Sequence, residues 1–254
     1  APTPSMAIAE ILPDSSRGDL SKGFVVPRGT MMDSLALKKT GVTCSYTTAH
    51  EVNLLPLKID KVELGGVPAD LPLAQLGLSQ RGIGSALRIR IACDGPQHLG
   101  HLDFDRLEFF LAGPDIEALK LLELVMEHHA GIVCQTVSPQ PQRQLLATDA
   151  LRQEGFEPDQ ALLPDDLRNF DGYRLLQEYF AFPARFRFIS LSGLSTLIQR
   201  CEGEKAFDIF ILLDKSDEQL ERVVDASHLA LHCTPVINLF PKVAARQKLN
   251  DGQH

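Results

Sequence analysis

A chain of 254 residues with 44% hydrophobic content is long enough to bury a substantial core, as one large domain or two ordinary ones. Its formal net charge of −8 argues against a general nucleic-acid or anionic-membrane surface, since both reward a basic patch. Five widely spaced cysteines, Cys44, Cys93, Cys134, Cys201 and Cys233, include no Cys-x-x-Cys pair and indicate neither a disulfide framework nor a zinc knuckle.

Ser5 to Leu12 is a short apolar run closed by Pro13 and the turn-forming Asp14-Ser-Ser-Arg-Gly18, which predicts a strand and then a loop. Gly23-Phe-Val-Val-Pro27 gives a second β-like run, and Val42 to Thr48, rich in β-branched residues, a third. Val52 to Leu64 alternates around Pro56 and predicts one or two strands with the proline at an edge or bulge. Ser85 to Ala92 alternates most cleanly, with Leu87, Ile89 and Ile91 on a buried face and Arg88 and Arg90 on a wet one. Two guanidinium groups on one strand face have the spacing to clamp a phosphate, although solvated outer-face arginines are far commoner.

Phe104 to Leu111 predicts another strand, and Gly113-Pro114-Asp115 opens a helix over Ile116 to Glu127. Its apolar face is expected to carry Ile116, Leu119, Leu122, Val125 and Met126, with Glu117, Lys120, Glu123 and Glu127 opposite. Ile132 to Val137 then resumes extended chain, completing a strand, helix, strand unit. Residues 139–170 hold Pro139, Pro141, Pro158 and Pro164 and are expected to connect a β-rich domain, 1–138, to a smaller α/β domain, 171–254.

In that second part, Tyr173 to Phe182 predicts a helix stopped by Pro183. Arg174, Gln177 and Glu178 share one narrow sector at about 100° per residue, leaving most of the circumference apolar, so the helix needs covering on more than one side. Phe186 to Leu191 and Phe207 to Leu213 predict strands, Ser216 caps a short helix, and His228 to His232 predicts a further strand. The fold class implied is mixed α/β, or α+β, with the β-rich half first.

Two imidazoles and two carboxylates fall within His98-Leu-Gly-His101-Leu-Asp103-Phe-Asp105, and extended alternation would put His101, Asp103 and Asp105 on one face as metal ligands. A polar loop running into a half-exposed strand accounts for them equally. Nucleophile elbows, phosphate-binding loops, dinucleotide glycine patterns and metalloprotease helices are missing, so no enzyme and no cofactor is expected. No apolar run approaches the roughly 20 residues of a membrane-spanning helix.

Two segments, Gly172-Tyr-Arg-Leu-Leu-Gln-Glu-Tyr-Phe-Ala-Phe-Pro183 and Cys233-Thr-Pro-Val-Ile-Asn-Leu-Phe-Pro241, closely resemble signature stretches of TssF, the VasA/ImpG family of type VI secretion baseplate wedge proteins. Weaker matches keep the same order at Pro4 to Ile8, Val26 to Thr30 and Cys44 to His50, so the resemblance spans the chain. With no Met before Ala1, the chain looks like an internal piece of such a protein. The resemblance implies a structural subunit, cytoplasmic at a baseplate docked on the inner membrane, with TssG, TssE, TssK, a second TssF copy and the spike hub as partners. Interface candidates are Tyr173, Tyr179, Phe180 and Phe182 on the helix and Pro235, Asn238 and Phe240 near the end, each of which packing inside one domain would explain as well. The runner-up is a stand-alone β-rich module binding a ligand or a metal.

Overall fold

The computed structural model describes residues 3–14, 20–36, 41–163 and 171–239. In chain order these residues form β1 (Met6–Glu10), β2 (Phe24–Val26), β3 (Met31–Asp33), β4 (Ser45–Thr48), β5 (Val52–Leu54), β6 (Leu57–Gly65), β7 (Ser85–Cys93), β8 (Leu107–Leu111), α1 (Asp115–Glu127) and β9 (His129–Thr136). There follow β10 (Arg143–Leu145), β11 (Leu151–Gln153), α2 (Asp171–Ala181), β12 (Phe188–Leu191), α3 (Ser195–Ile198), β13 (Ala206–Leu213), α4 (Glu218–Val223), β14 (Leu229–Ala230) and β15 (Cys233–Ile237). The architecture is α+β, with every strand pairing among the described residues antiparallel.

The largest sheet has the order β10-β9-β13-β7-β6. Its centre is β13, which pairs with β7 on one side, Ile209 opposite Ile89, and with β9 on the other, Ile209 opposite Cys134. The inward face of Leu87, Ile89, Ile91, Phe207, Ile209 and Ile211 packs in one core with Leu107, Phe109, Leu111, Ile189 and Leu191 from the second sheet, β11-β12-β8-β14. On the outward face, Phe210 and Leu212 are covered by Leu71 and Leu78 from the loop between β6 and β7. Burial on both sides explains why Phe207 to Leu213 reads as nearly unbroken apolar sequence. A third sheet, β1-β15-β4-β3, and a β2-β5 ribbon complete the strands.

The sheets draw on both sides of residues 139–170. β13 lies between two strands from before that segment, and the segment itself supplies β10 to β9 and β11 to β12. Pro139 and Pro141 lie in the turn between the paired strands β9 and β10, Pro158 opens a 3₁₀ turn after β11, and Pro164 lies outside the described residues. The boundary expected from them does not coincide with any separation of the described sheets.

Several local expectations are corrected. Helix α1 buries Ala118, Leu121, Leu124 and Val125, with Leu122 and Met126 partly buried against the same core, whereas Ile116 and Leu119 are exposed. The strands flanking α1 belong to different sheets, β8 to the second and β9 to the largest. Helix α4 is capped by Asp217, not Ser216: the carboxylate accepts from the Gln219 and Leu220 N–H groups. His228 closes a 3₁₀ turn with Asp225 in a capping box, so only Leu229 and Ala230 of the expected 228–232 strand are extended in pairing.

Arg88 and Arg90 are not a phosphate clamp. Both turn onto Asp208 of β13, with Arg88 Nη2 to Oδ2 at 2.7 Å and Arg90 Nε to Oδ1 at 2.8 Å. Burial pushes the Asp208 carboxyl up, but the hydrogen bonds from Arg90 and Arg88 outweigh it and hold the group below the ordinary carboxylate range. Asp208→Asn is therefore expected to cost about 2–3 kcal/mol in urea unfolding at neutral pH, less than a fully buried pair because the arginines keep some contact with water. A carboxylate with a depressed native value stabilises fully above its unfolded value near ~3.9, and that contribution is lost as pH falls through the lower native value, so the variant should show a flatter acid limb than the parent.

Candidate functional site

Helix α2 is built inside out. Its two charged side chains over 172–181, Arg174 and Glu178, are buried at 8% and 0% exposure, while Tyr173 at 70%, Leu176 at 56%, Tyr179 at 54% and Phe180 at 81% face outward. Of the narrow polar sector seen in the sequence, Arg174 and Glu178 thus face inward while Gln177 stays exposed, and most of the wide apolar sector is surface, with Leu175 half-buried.

The cause is a buried ion network at the end of the helix. Glu178 Oε1 accepts the backbone N–H groups of Leu162 and Leu163 at 3.1 and 2.9 Å. Its other oxygen takes Arg174 Nη1, one turn earlier at 3.4 Å, and Arg185 Nη1. Arg185 is fully buried and uses Nη2 to donate to the Gly155 and Gln160 carbonyls at 2.7 and 2.9 Å. Burial, with the nearby charges of Arg174 and Arg28, pushes the Arg185 guanidinium down to about 10, so it stays charged at neutral pH. Gly155 holds φ +101°, a backbone conformation that L side chains rarely adopt, and a Cβ there would also crowd the Arg185 carbonyl at 3.0 Å. The network ties α2 to residues 155–163 by charge and leaves no apolar work for the outer face of the helix.

That outer face continues beyond α2. Tyr179 lies 5.6 Å from the Phe180 ring and 6.0 Å from Phe186, and Phe186 lies 5.2 Å from Phe156, itself 46% exposed. The result is an aromatic ridge that starts on the exposed face of α2 and reaches Phe156 through the buried ring of Phe186. Phe156 was not apparent as a site residue, because it lies in polar, proline-marked sequence; the Arg174 and Glu178 spacing of i, i+4 with Arg185 just past the proline was the signal for the network.

The other candidate residues separate. Phe182 turns inward against Ala49, Leu162 and Ile237. Pro235 is buried in β15 opposite Ile8, its carbonyl accepting from Ala49 N–H at 2.8 Å. Asn238 donates from its backbone to Ser5 O at 2.8 Å and from Nδ2 to Ser45 O at 2.9 Å, which fastens the end of β15 to the chain around β1 and β4. Phe240 lies outside the described residues. His101 sits in a 3₁₀ turn, and Asp105 accepts the Gly193 and Ser195 N–H groups at 3.1 Å each. The Ser195 hydroxyl, followed by the two backbone N–H groups, holds Asp105 below the usual carboxylate range. No group of three His, Cys, Asp or Glu side chains placed to hold a metal occurs among the described residues.

The model of the type VI secretion system TssF family matches residues 1–254. The chain belongs to the TssF family. It is 39% identical to the type VI secretion system component TssF1 of Pseudomonas aeruginosa, over 99% of this chain and 40% of that protein. The chain therefore spans well under half the length of this TssF relative. The fold also matches a chain in the cryo-electron-microscopy structure of a type VI secretion TssK-TssF-TssG baseplate subcomplex, with a TM-score of 0.76 and 26% identity, over 98% of this chain and 44% of that one. No helix among the described residues of this TssF-family chain is long and apolar enough to cross a membrane.

Stability effects of very different size are expected on the two faces of α2. Glu178→Ala leaves two guanidinium groups and two backbone N–H groups uncompensated and should lower the unfolding free energy by about 3–5 kcal/mol in chemical denaturation. Phe180→Asp, at an exposed position, should stay within about 0.5 kcal/mol of the parent.

Proposed function

We propose that this chain is part of a structural baseplate subunit of the type VI secretion machine, working through protein-protein contacts and not through catalysis. The observation that carries the reading is the aromatic outer face of α2: a helix that buries its charges and exposes Tyr173, Leu176, Tyr179 and Phe180 is costly to leave in water and suited to a permanent interface. The matched fold in a TssK-TssF-TssG baseplate subcomplex supports TssK and TssG as partners.

On this reading TssE, the spike hub and a second TssF copy are further contacts of the complete subunit, at a baseplate docked on the cytoplasmic side of the inner membrane. The subunit's role is mechanical: its interfaces hold the loaded baseplate, and their rearrangement passes on the trigger for contraction. That demands surfaces with two arrangements of similar free energy on a rigid scaffold. Antiparallel sheets sharing one core supply the rigidity, and a helix fixed by ions on one side leaves its apolar side free for partners.

The test is an affinity pull-down of the tagged full-length protein from its own bacterium, with quantitative mass spectrometry. TssK- and TssG-like subunits at fixed stoichiometry are the expected result, and Phe180→Asp should reduce their recovery while the bait remains folded. Recovery of the bait alone from cells expressing the secretion genes would refute the assignment.

A further inference from the structure

The ridge ends at Phe156, and on the far side of Phe156 the surface changes character. Phe156 is also one wall of a cleft of about 770 Å³ between the β11 segment, the 156–160 loop and the turn after β12. Its charged lining is Arg106, Asp149, Arg152, Glu154, Glu157 and Asp159. Arg106 and Glu154 neutralise each other at 2.7 Å, and Glu154 further accepts from Ser190 and from Gln160 at 2.6 Å. Against the one remaining cation, Arg152, stand Asp149, Glu157 and Asp159. Arg152 reaches only Asp149, at 4.0 Å, while the exposed carboxylates of Glu157 and Asp159 form no ion pair with any described residue.

We propose that the α2 ridge and this cleft form one docking surface for an amphipathic helix of a partner protein, apolar along its contact face and carrying Lys or Arg where it passes the cleft. The inference rests on the reading of α2 as an interface and adds the chemistry of its occupant. A helix is favoured over a strand because α2 satisfies its own backbone groups and offers side-chain ridges, not an open edge; Tyr173, Leu176 and Phe180 stand at i, i+3 and i+7, a strip about two turns long. The charge comes from the partner because the ridge has none to offer: over 172–181 the described charged side chains are buried, and the acids at its end are unanswered. A second copy of this chain is disfavoured, since it brings a net charge of −8 and the same acidic end to the contact.

Association of the full-length protein with co-purified TssK and TssG, measured at low and high salt, tests this with two variants at exposed positions. Glu157→Lys combined with Asp159→Lys should weaken association about tenfold at low salt, with the gap to the parent narrowing at high salt. Phe180→Asp should weaken it at both. If Phe180→Asp weakens association and the double reversal does not, or strengthens it, α2 is an interface but its occupant is not basic, and the proposal falls alone. If Phe180→Asp changes nothing, the reading of α2 as an interface falls with it. A homodimer in light scattering of the isolated protein, dispersed by Phe180→Asp, would assign the ridge to a second copy and likewise overturn the proposal.

Discussion

The buried contact of Glu178 with Arg174 and Arg185 decides which way the most distinctive helix of this protein faces. An uncompensated charge in a protein interior is far more expensive than an exposed apolar side chain, so once Glu178 is committed to the Leu162 and Leu163 amides the side of α2 that carries Arg174 and Glu178 has to point inward. The apolar sector is then turned to the surface by geometry alone. Ion networks of this kind contribute less net stability than apolar packing of the same volume, but they fix orientation, because no rotated arrangement satisfies the same donors and acceptors.

The same device recurs in the largest sheet. Asp208, at the centre of β13, gathers Arg88 and Arg90 from β7 across the strand pair, which sets the register of the two strands beyond what the apolar alternation specifies. The inner faces of the five-stranded sheet and of the β11-β12-β8-β14 sheet make one shared core, and α1 and α4 contribute to it through Leu121, Leu124 and Leu220. A scaffold with its strands interleaved from both halves of the chain is poorly suited to hinge motion within itself. The aromatic ridge and the acidic cleft lie on the outer surface of this scaffold.

Much of this was legible in the chain. Strands β1, β2, β4 to β9, β12 and β13 fall where alternation or apolar runs place them, α1 opens just after Gly113-Pro114 and α2 stops just before Pro183. But α1 ends at Glu127, and Gly131, expected to stop it, lies inside β9. Short strands β3, β10 and β11, of three residues each, carry too little pattern to be seen and are made by the partners they pair with. The candidate residues Tyr173, Tyr179 and Phe180 were named from aromatic content, but the inward turn of Phe182, the burial of Pro235 and the part played by Phe156 depended on neighbours more than twenty residues away.

By itself, the sequence determined the family, through two long signature segments, and the local periods of the main elements, because those depend on residues a few positions apart. Tertiary structure alone decided the sheet order, which threads β13 between strands on the far side of the proline-rich segment, and the outward face of α2. The physical reason is the same in both cases. A helical wheel shows that two faces differ but not which is inside, and that choice was made by the Leu162 and Leu163 amides, the Gly155 and Gln160 carbonyls and Arg185, groups brought to the helix by the fold.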